Sequence, residues 1–171
     1  MKPIICTLLL CVLTAVTAAE EVRVTGGQVT EVGIYASQVV TVTSTTNTVR
    51  GKLEGLDGFT LLRSTTNVPA RIGTRFGFRY RILGSPNNAP ITLTMVGKHP
   101  PHTNPKTGRT ASRDQYHLQS WIGDTYTSYS FDEPWALIPG LFTFEVWYQE
   151  KKLCEQSFTV VEDEKGKRSN Q

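Results

Sequence analysis

Hydrophobic and polar positions alternate most strictly between Thr74 and Leu83. Phe76, Phe78, Tyr80 and Ile82 fall on one face, and Arg75, Gly77, Arg79 and Arg81 fall on the other. A period of two makes a strand with one buried and one solvated face. Shorter runs of the same kind recur along the chain. Val29 to Tyr35 reads as a first strand, and Ile91 to Val96 follows a turn at Ser85-Pro86-Asn87-Asn88. Further strands are expected near Tyr116 to Trp121 and at Thr125 to Phe131. Leu141 to Tyr148 and Lys152 to Val161 form a closing hairpin around Gln149-Glu150-Lys151.

Between these runs the pattern weakens. Val39 to Val49 is rich in Thr and Val and fits either an edge strand or a loop. Gly51 to Gly58 carries three glycines and is expected as a turn region. Lys98 to Arg113, with Pro100, Pro101, Pro105 and Gly108, is expected as a long loop, and Asp132 to Gly140 as a connection. No stretch keeps a helical period for three turns. About seven or eight short strands with turns between them point to an all-β domain, a two-sheet antiparallel immunoglobulin-like sandwich. A closed barrel is the alternative. The core is expected to hold Phe76, Phe78, Tyr80, Phe142, Phe144 and Phe158. Cys154 shares the parity of Phe158 and Val160 and is expected to face inward. Leu153 then covers the hairpin end, or a bulge lies between it and Phe158.

The ends change the setting. Residues 1–19 have the layout of a secretory signal peptide: a basic start at Lys2, an apolar stretch from Ile4 to Val16, then Thr17, Ala18 and Ala19 before Glu20-Glu21. Cleavage fits after Ala19 or after Ala18. The apolar stretch is shorter than the roughly 20 residues that cross a bilayer, so an exported, periplasmic or secreted protein is expected. No later stretch spans a membrane. The domain limits are therefore 1–19 for the signal, 20–161 for one sandwich, and 162–171 for a disordered polar tail. Cys6 and Cys11 leave with the signal, so Cys154 is alone and no internal disulfide forms.

Three stretches carry a resemblance: Thr65 to Tyr80, which reads Thr-Thr-Asn-Val-Pro-Ala-Arg-Ile-Gly-Thr-Arg-Phe-Gly-Phe-Arg-Tyr; Ile138 to Val146; and Lys152 to Val160. With them the chain resembles the exported bacterial domain of unknown function numbered 3859, from about Val29 to Val161. The resemblance implies a bacterial envelope setting and no established activity, and it brings no site residues.

Formal net charge is only +3, but it is unevenly spread. Arg63 through Arg113 holds nine basic residues and no acid, whereas Asp114 to Val161 holds seven acids against two lysines. Two readings follow. The arginines of the alternating strand pair across a sheet with Glu145 or Glu155, or Arg75, Arg79, Arg81, Lys106 and Arg109 form an anion-binding face. The partners expected for such a face are an anionic envelope component or another envelope protein, and not nucleic acid.

Catalytic and metal signatures are missing. No Gly-x-Ser-x-Gly, Gly-x-x-x-x-Gly-Lys, His-Glu-x-x-His or Cys-x-x-Cys occurs. His99-Pro100-Pro101-His102 is the nearest approach, because a polyproline II segment puts both imidazoles on one side. With His117 or Asp114 these make a weak candidate metal site, and otherwise they are solvated loop residues; no metal or other cofactor is expected. Trp121, Tyr126, Tyr129, Trp135, Trp147 and Tyr148 are either a stacking platform for sugars or ordinary core and rim rings. The expectation is a non-enzymatic binding or interaction module with a basic face. The alternative is a carrier for metal or carbohydrate.

Overall fold

The computed structural model describes residues 20–163. It contains nine strands: β1 (Arg23–Ser44), β2 (Lys52–Arg63), β3 (Asn67–Ala70), β4 (Arg75–Ser85), β5 (Pro90–Thr103), β6 (Thr110–Trp121), β7 (Gly123–Ser130), β8 (Gly140–Tyr148) and β9 (Lys151–Glu162), with one 3-10 turn at Pro134–Ala136. They form two open sheets, ordered β2-β1-β4-β7 and β3-β9-β8-β5-β6. Every pairing is antiparallel except that of β3 with β9. The expected signal segment 1–19 and residues 164–171 of the expected tail lie outside the described residues.

The inner face of β4 is the centre of the core. Phe76, Phe78, Tyr80 and Ile82 are all buried, together with Phe131, Phe142, Phe144, Val146, Phe158 and Val160. Phe76 is the hub, with the rings of Tyr129, Phe131, Phe142, Phe144 and Phe158 between 5.2 and 5.9 Å from its own. Such tilted and edge-on ring pairs add to the stabilisation from burial alone.

Three expectations need correction. Gly51 to Gly58 is not a turn region but most of β2. Only Gly51 sits in the hairpin turn, while Gly58, at φ +66, lies where the β1–β2 ladder changes register. Glycine supplies the left-handed residue that such a bulge needs. Lys98 to Arg113 is not a long loop either. It is the end of β5, the start of β6 and a short turn, in which Thr107 and Gly108 donate to the Asn104 carbonyl. Pro100 and Pro101 are tolerated because the β5–β6 ladder is interrupted between Lys98 and His102. Thirdly, Asn67–Ala70, which the pattern left unassigned, is a ninth strand that buries Val68 beside β9.

The last strand carries a bulge at Leu153, since Val146 faces Cys154 while Trp147 faces Lys152. Leu153 and Cys154 can then both lean inward. Cys154 is a free, half-buried thiol packed against the core, and burial pushes its pKa up to about 11.

β1 outruns its own sheet. It pairs with β4 only as far as Tyr35; beyond that point β2 is its single partner strand among the described residues. The two continue as a ribbon over the outer face of the four-stranded sheet. Phe59 of β2 stacks between the outward rings of Tyr35 and Tyr126, at 4.0 and 4.4 Å. The ribbon tip then hooks onto the five-stranded sheet. The Val49 N–H donates to Asp114 Oδ1 at 2.7 Å, and Asn104 Nδ2 donates to the Val49 carbonyl at 2.9 Å.

Candidate functional site

The outward arginines of β4 do not face open solvent as a free row. Arg75 donates to Glu54 at 2.8 Å, Arg79 reaches Glu31 at 3.2 Å and also the Phe59 carbonyl, and Arg81 holds Asp124 through two bonds of 2.7 Å. The ribbon brings Glu54 into this row along with Arg50, which bridges Glu54 and Asp132 at 2.9 and 2.7 Å. Lys52 contacts the same two acids. Glu54, Arg50 and Arg75 have side chains only 8, 10 and 11% exposed. Burial by itself would raise the Glu54 pKa; the Arg75 hydrogen bond, the Arg50 charge and the Lys52 hydrogen bond outweigh it and bring it down to about 2.

Lys106 and Arg109 sit apart from that row. They belong to the β5–β6 turn of the other sheet, where Lys106 pairs with Glu133 at 2.6 Å. Arg109 makes no ion pair among the described residues. The expected single positive surface therefore does not assemble. The acids expected opposite the arginines, Glu145 and Glu155, pair with Lys98 and Lys152 in the five-stranded sheet. Segregation of charge along the chain could not reveal this, because Glu31, Glu54 and Asp124 reach the arginines only through strand pairing and the ribbon fold.

The ribbon tip roofs a polar chamber of about 70 Å³ between the two sheets, lined among others by Arg50, Glu54, His99, Asp114, Tyr116 and Tyr129. His99 lines this chamber, and His99 and His102 are both buried in β5, which corrects the reading of solvated loop histidines. Their rings lie 4.5 Å apart, and both Nδ1 atoms sit 3.0 Å from the Pro100 carbonyl. A carbonyl only accepts, so in each ring Nδ1 carries a proton and donates it to Pro100. His99 Nε2 lies 3.6 Å from Asp114 Oδ2. Burial pushes the His102 pKa below its ordinary value, with the Pro100 carbonyl opposing. His117 is exposed on the opposite face of β6, beside Thr94 at 3.2 Å. No group of three or more His, Cys, Asp or Glu among the described residues is arranged to hold a metal ion. Arg50 Nε, His99 Nε2 and Tyr129 Oη are buried without a hydrogen-bond partner among the described residues. The chamber is the size of a few waters, far below the roughly 300–1,000 Å³ of ligand sites.

A different feature is open to partners. Every residue from Gln38 to Ser44 is exposed, none is charged, and among the described residues no strand pairs with them on the side away from β2. Val39, Val40 and Val42 are 46, 59 and 60% exposed. An open groove of about 500 Å³ runs beside them, with Val39, Val42 and Leu62 on its wall and Arg75, Phe131 and Asp132 among its other lining residues. Proteins usually protect such an edge with lysine, proline or a bulge. Here only the bulge is present, at Val40.

A family model for a domain of unknown function, DUF3859, matches residues 24–160. This chain belongs to that family. The DUF3859 chain is also similar to a solved immunoglobulin-like protein from Pseudomonas aeruginosa, at 24% identity and a TM-score of 0.55, over 83% of this chain and 98% of that one. That likeness establishes the immunoglobulin-like sandwich and nothing further. No curated protein matches.

In the DUF3859 domain the six candidate aromatics part company. Tyr129 is buried, Tyr126 lies under Phe59, and Trp147 donates to Glu145 at 2.9 Å. Trp135 is half-buried beside His102, and Tyr148 is half-buried against the core. Trp121 alone of the three tryptophans is exposed. No helix among the described residues is long and apolar enough to cross a membrane.

Proposed function

We propose that this chain is an exported, non-enzymatic interaction module of the bacterial envelope, and that it takes up an extended segment of another envelope protein along the free edge of β1. The observation that carries the reading is the uncharged, exposed run Gln38 to Ser44 with a strand on one side only. A strand edge offers unpaired N–H and C=O groups, and strand addition uses them for affinity while side-chain pockets supply selectivity. The occupant is an uncharged segment rich in β-branched residues. The run itself brings no charge, and the charges lining the groove (Lys52, Glu54, Arg75 and Asp132) are already paired with one another. The signal-like layout of residues 1–19 supports export. The small size of the polar chamber and the missing nucleophile motifs weigh against an enzyme.

The test is a photo-crosslinking residue at Val40 in cells that export the protein, with Val42→Lys as the control. Val42 is exposed, so the change leaves stability within about 0.5 kcal/mol while placing a charge on the edge. The proposal expects one discrete adduct with another envelope protein, absent in Val42→Lys. No adduct, or an adduct indifferent to Val42→Lys, refutes it. An adduct only at twice the protein's own mass replaces the envelope partner with a second copy.

A further inference from the structure

A surface groove lies at the end of the sandwich where the β4–β5 and β6–β7 turns meet, away from the β1 edge. The two turns are tied together by the Asn88 N–H on the Ile122 carbonyl at 2.9 Å and the Ile122 N–H on the Ala89 carbonyl at 3.0 Å. The groove between them measures about 560 Å³ and is bordered by Arg81, Asn87, Asn88, Trp121, Gly123 and Asp124. We propose that this groove binds a neutral pyranose unit of a glycan, with the ring stacked on Trp121 and its hydroxyls held by the Asn87 and Asn88 amides.

Four features support the assignment. The first is Trp121, 47% exposed; an indole left half in water offers a flat apolar surface that matches the C–H face of a sugar. The second is convergence. The position of a Cβ on Gly123 would lie 3.5 Å from Trp121 Cδ1, 3.6 Å from Asn87 Oδ1 and 3.8 Å from Asn88 Oδ1. Gly123 has φ +136, where a side chain is strained, so the backbone keeps that meeting point clear. The third is unused capacity: neither asparagine side chain makes a hydrogen bond within the protein among the described residues. Each amide presents an acceptor and donors, the combination that vicinal hydroxyls require. The fourth is charge. Arg81 and Asp124 cancel each other through their two 2.7 Å bonds, so the groove does not select a polyanion. Its volume lies within the range of small-molecule sites.

The experiment uses the mature protein labelled with ¹⁵N and three probes: chitotriose, maltotriose and cellotetraose. The resonances read are the Trp121 indole N–H and the Asn87 and Asn88 side-chain amides. At least one probe should shift these resonances saturably, with half-saturation at or below about 5 mM. Trp121→Ala should weaken that binding about tenfold, and Trp121→Phe should restore most of it. The exposed site allows both variants to fold, which their melting temperatures check. No saturable shift with any probe up to about 20 mM, or binding by Trp121→Ala equal to wild type, overturns the proposal.

Discussion

Replacing Glu54 with Gln removes the acid that joins the ribbon to the arginine row. Glu54 holds Arg75 at 2.8 Å and Arg50 at 2.9 Å, with all three side chains at least 89% buried. Its carboxyl is held at about 2 against an ordinary value of 4.5, a depression that corresponds to about 3 kcal/mol at neutral pH. The variant keeps the shape and loses the charge. Arg50 retains Asp132, whereas Arg75 retains only Ser128, at 3.3 Å. Removing one partner of a buried pair is expected to cost about 3–5 kcal/mol, so both routes converge on about 3 kcal/mol and a melting temperature lower by about 10 °C. The folded pKa is depressed, so this stabilisation is fully present above pH 4.5 and is lost as pH falls from 4.5 toward 2. Other acids titrate in the same window, so the informative quantity is the gap between wild type and Glu54→Gln, followed by urea unfolding across pH. The gap should be widest at neutral pH and close toward pH 2. A melting temperature within about 2 °C of wild type, or a gap that does not change with pH, refutes the electrostatic account of the ribbon dock.

Phe78 is fully buried on the inner face of β4, and Phe78→Ala should cost about 3–5 kcal/mol in denaturant unfolding; an unchanged midpoint would mean that the β4 faces are inverted. Asp114→Ala leaves the buried Val49 N–H without its 2.7 Å acceptor. It should cost about 1–3 kcal/mol and speed amide exchange at Asn47 to Arg50 ahead of the core. Cys154, with its pKa near 11, is almost wholly protonated at neutral pH. It should react slowly with maleimide until the protein is unfolded, and rapid labelling of the native protein would contradict its placement.

Legibility in the sequence followed the strength of each local signal. β4 was plain because four core residues alternate without a break with arginine and glycine. Its arginines lie on the outer face, as the alternation implies, but their partners are not legible, since Glu54 is brought there by a ribbon that the three glycines of 51–58 conceal. Glycine marks turns and bulges alike, and here Gly58 marks a bulge inside β2. Prolines 100 and 101 hid the outer half of β5 in the same way, because proline is compatible with a loop and with an interrupted ladder. His99 and His102 stand out in the sequence as a pair and are one, packed ring against ring, though buried in β5 and not exposed on a loop. Nothing in the spacing of six aromatics distinguishes Trp121 from the rest; its exposure follows from its place where β6 gives way to the turn into β7.

Residue-resolved amide exchange by NMR on residues 20–171 tests the free β1 edge most directly. Amides in Gln38 to Ser44 that point toward β2 should be protected, and those that point away should exchange at nearly the rate of an open chain. Addition of the partner captured through Val40 should protect the second set and leave the first unchanged. Uniform protection of the whole run in the isolated monomer would mean that the edge is already covered, and the account of this domain as a strand-adding module would fail.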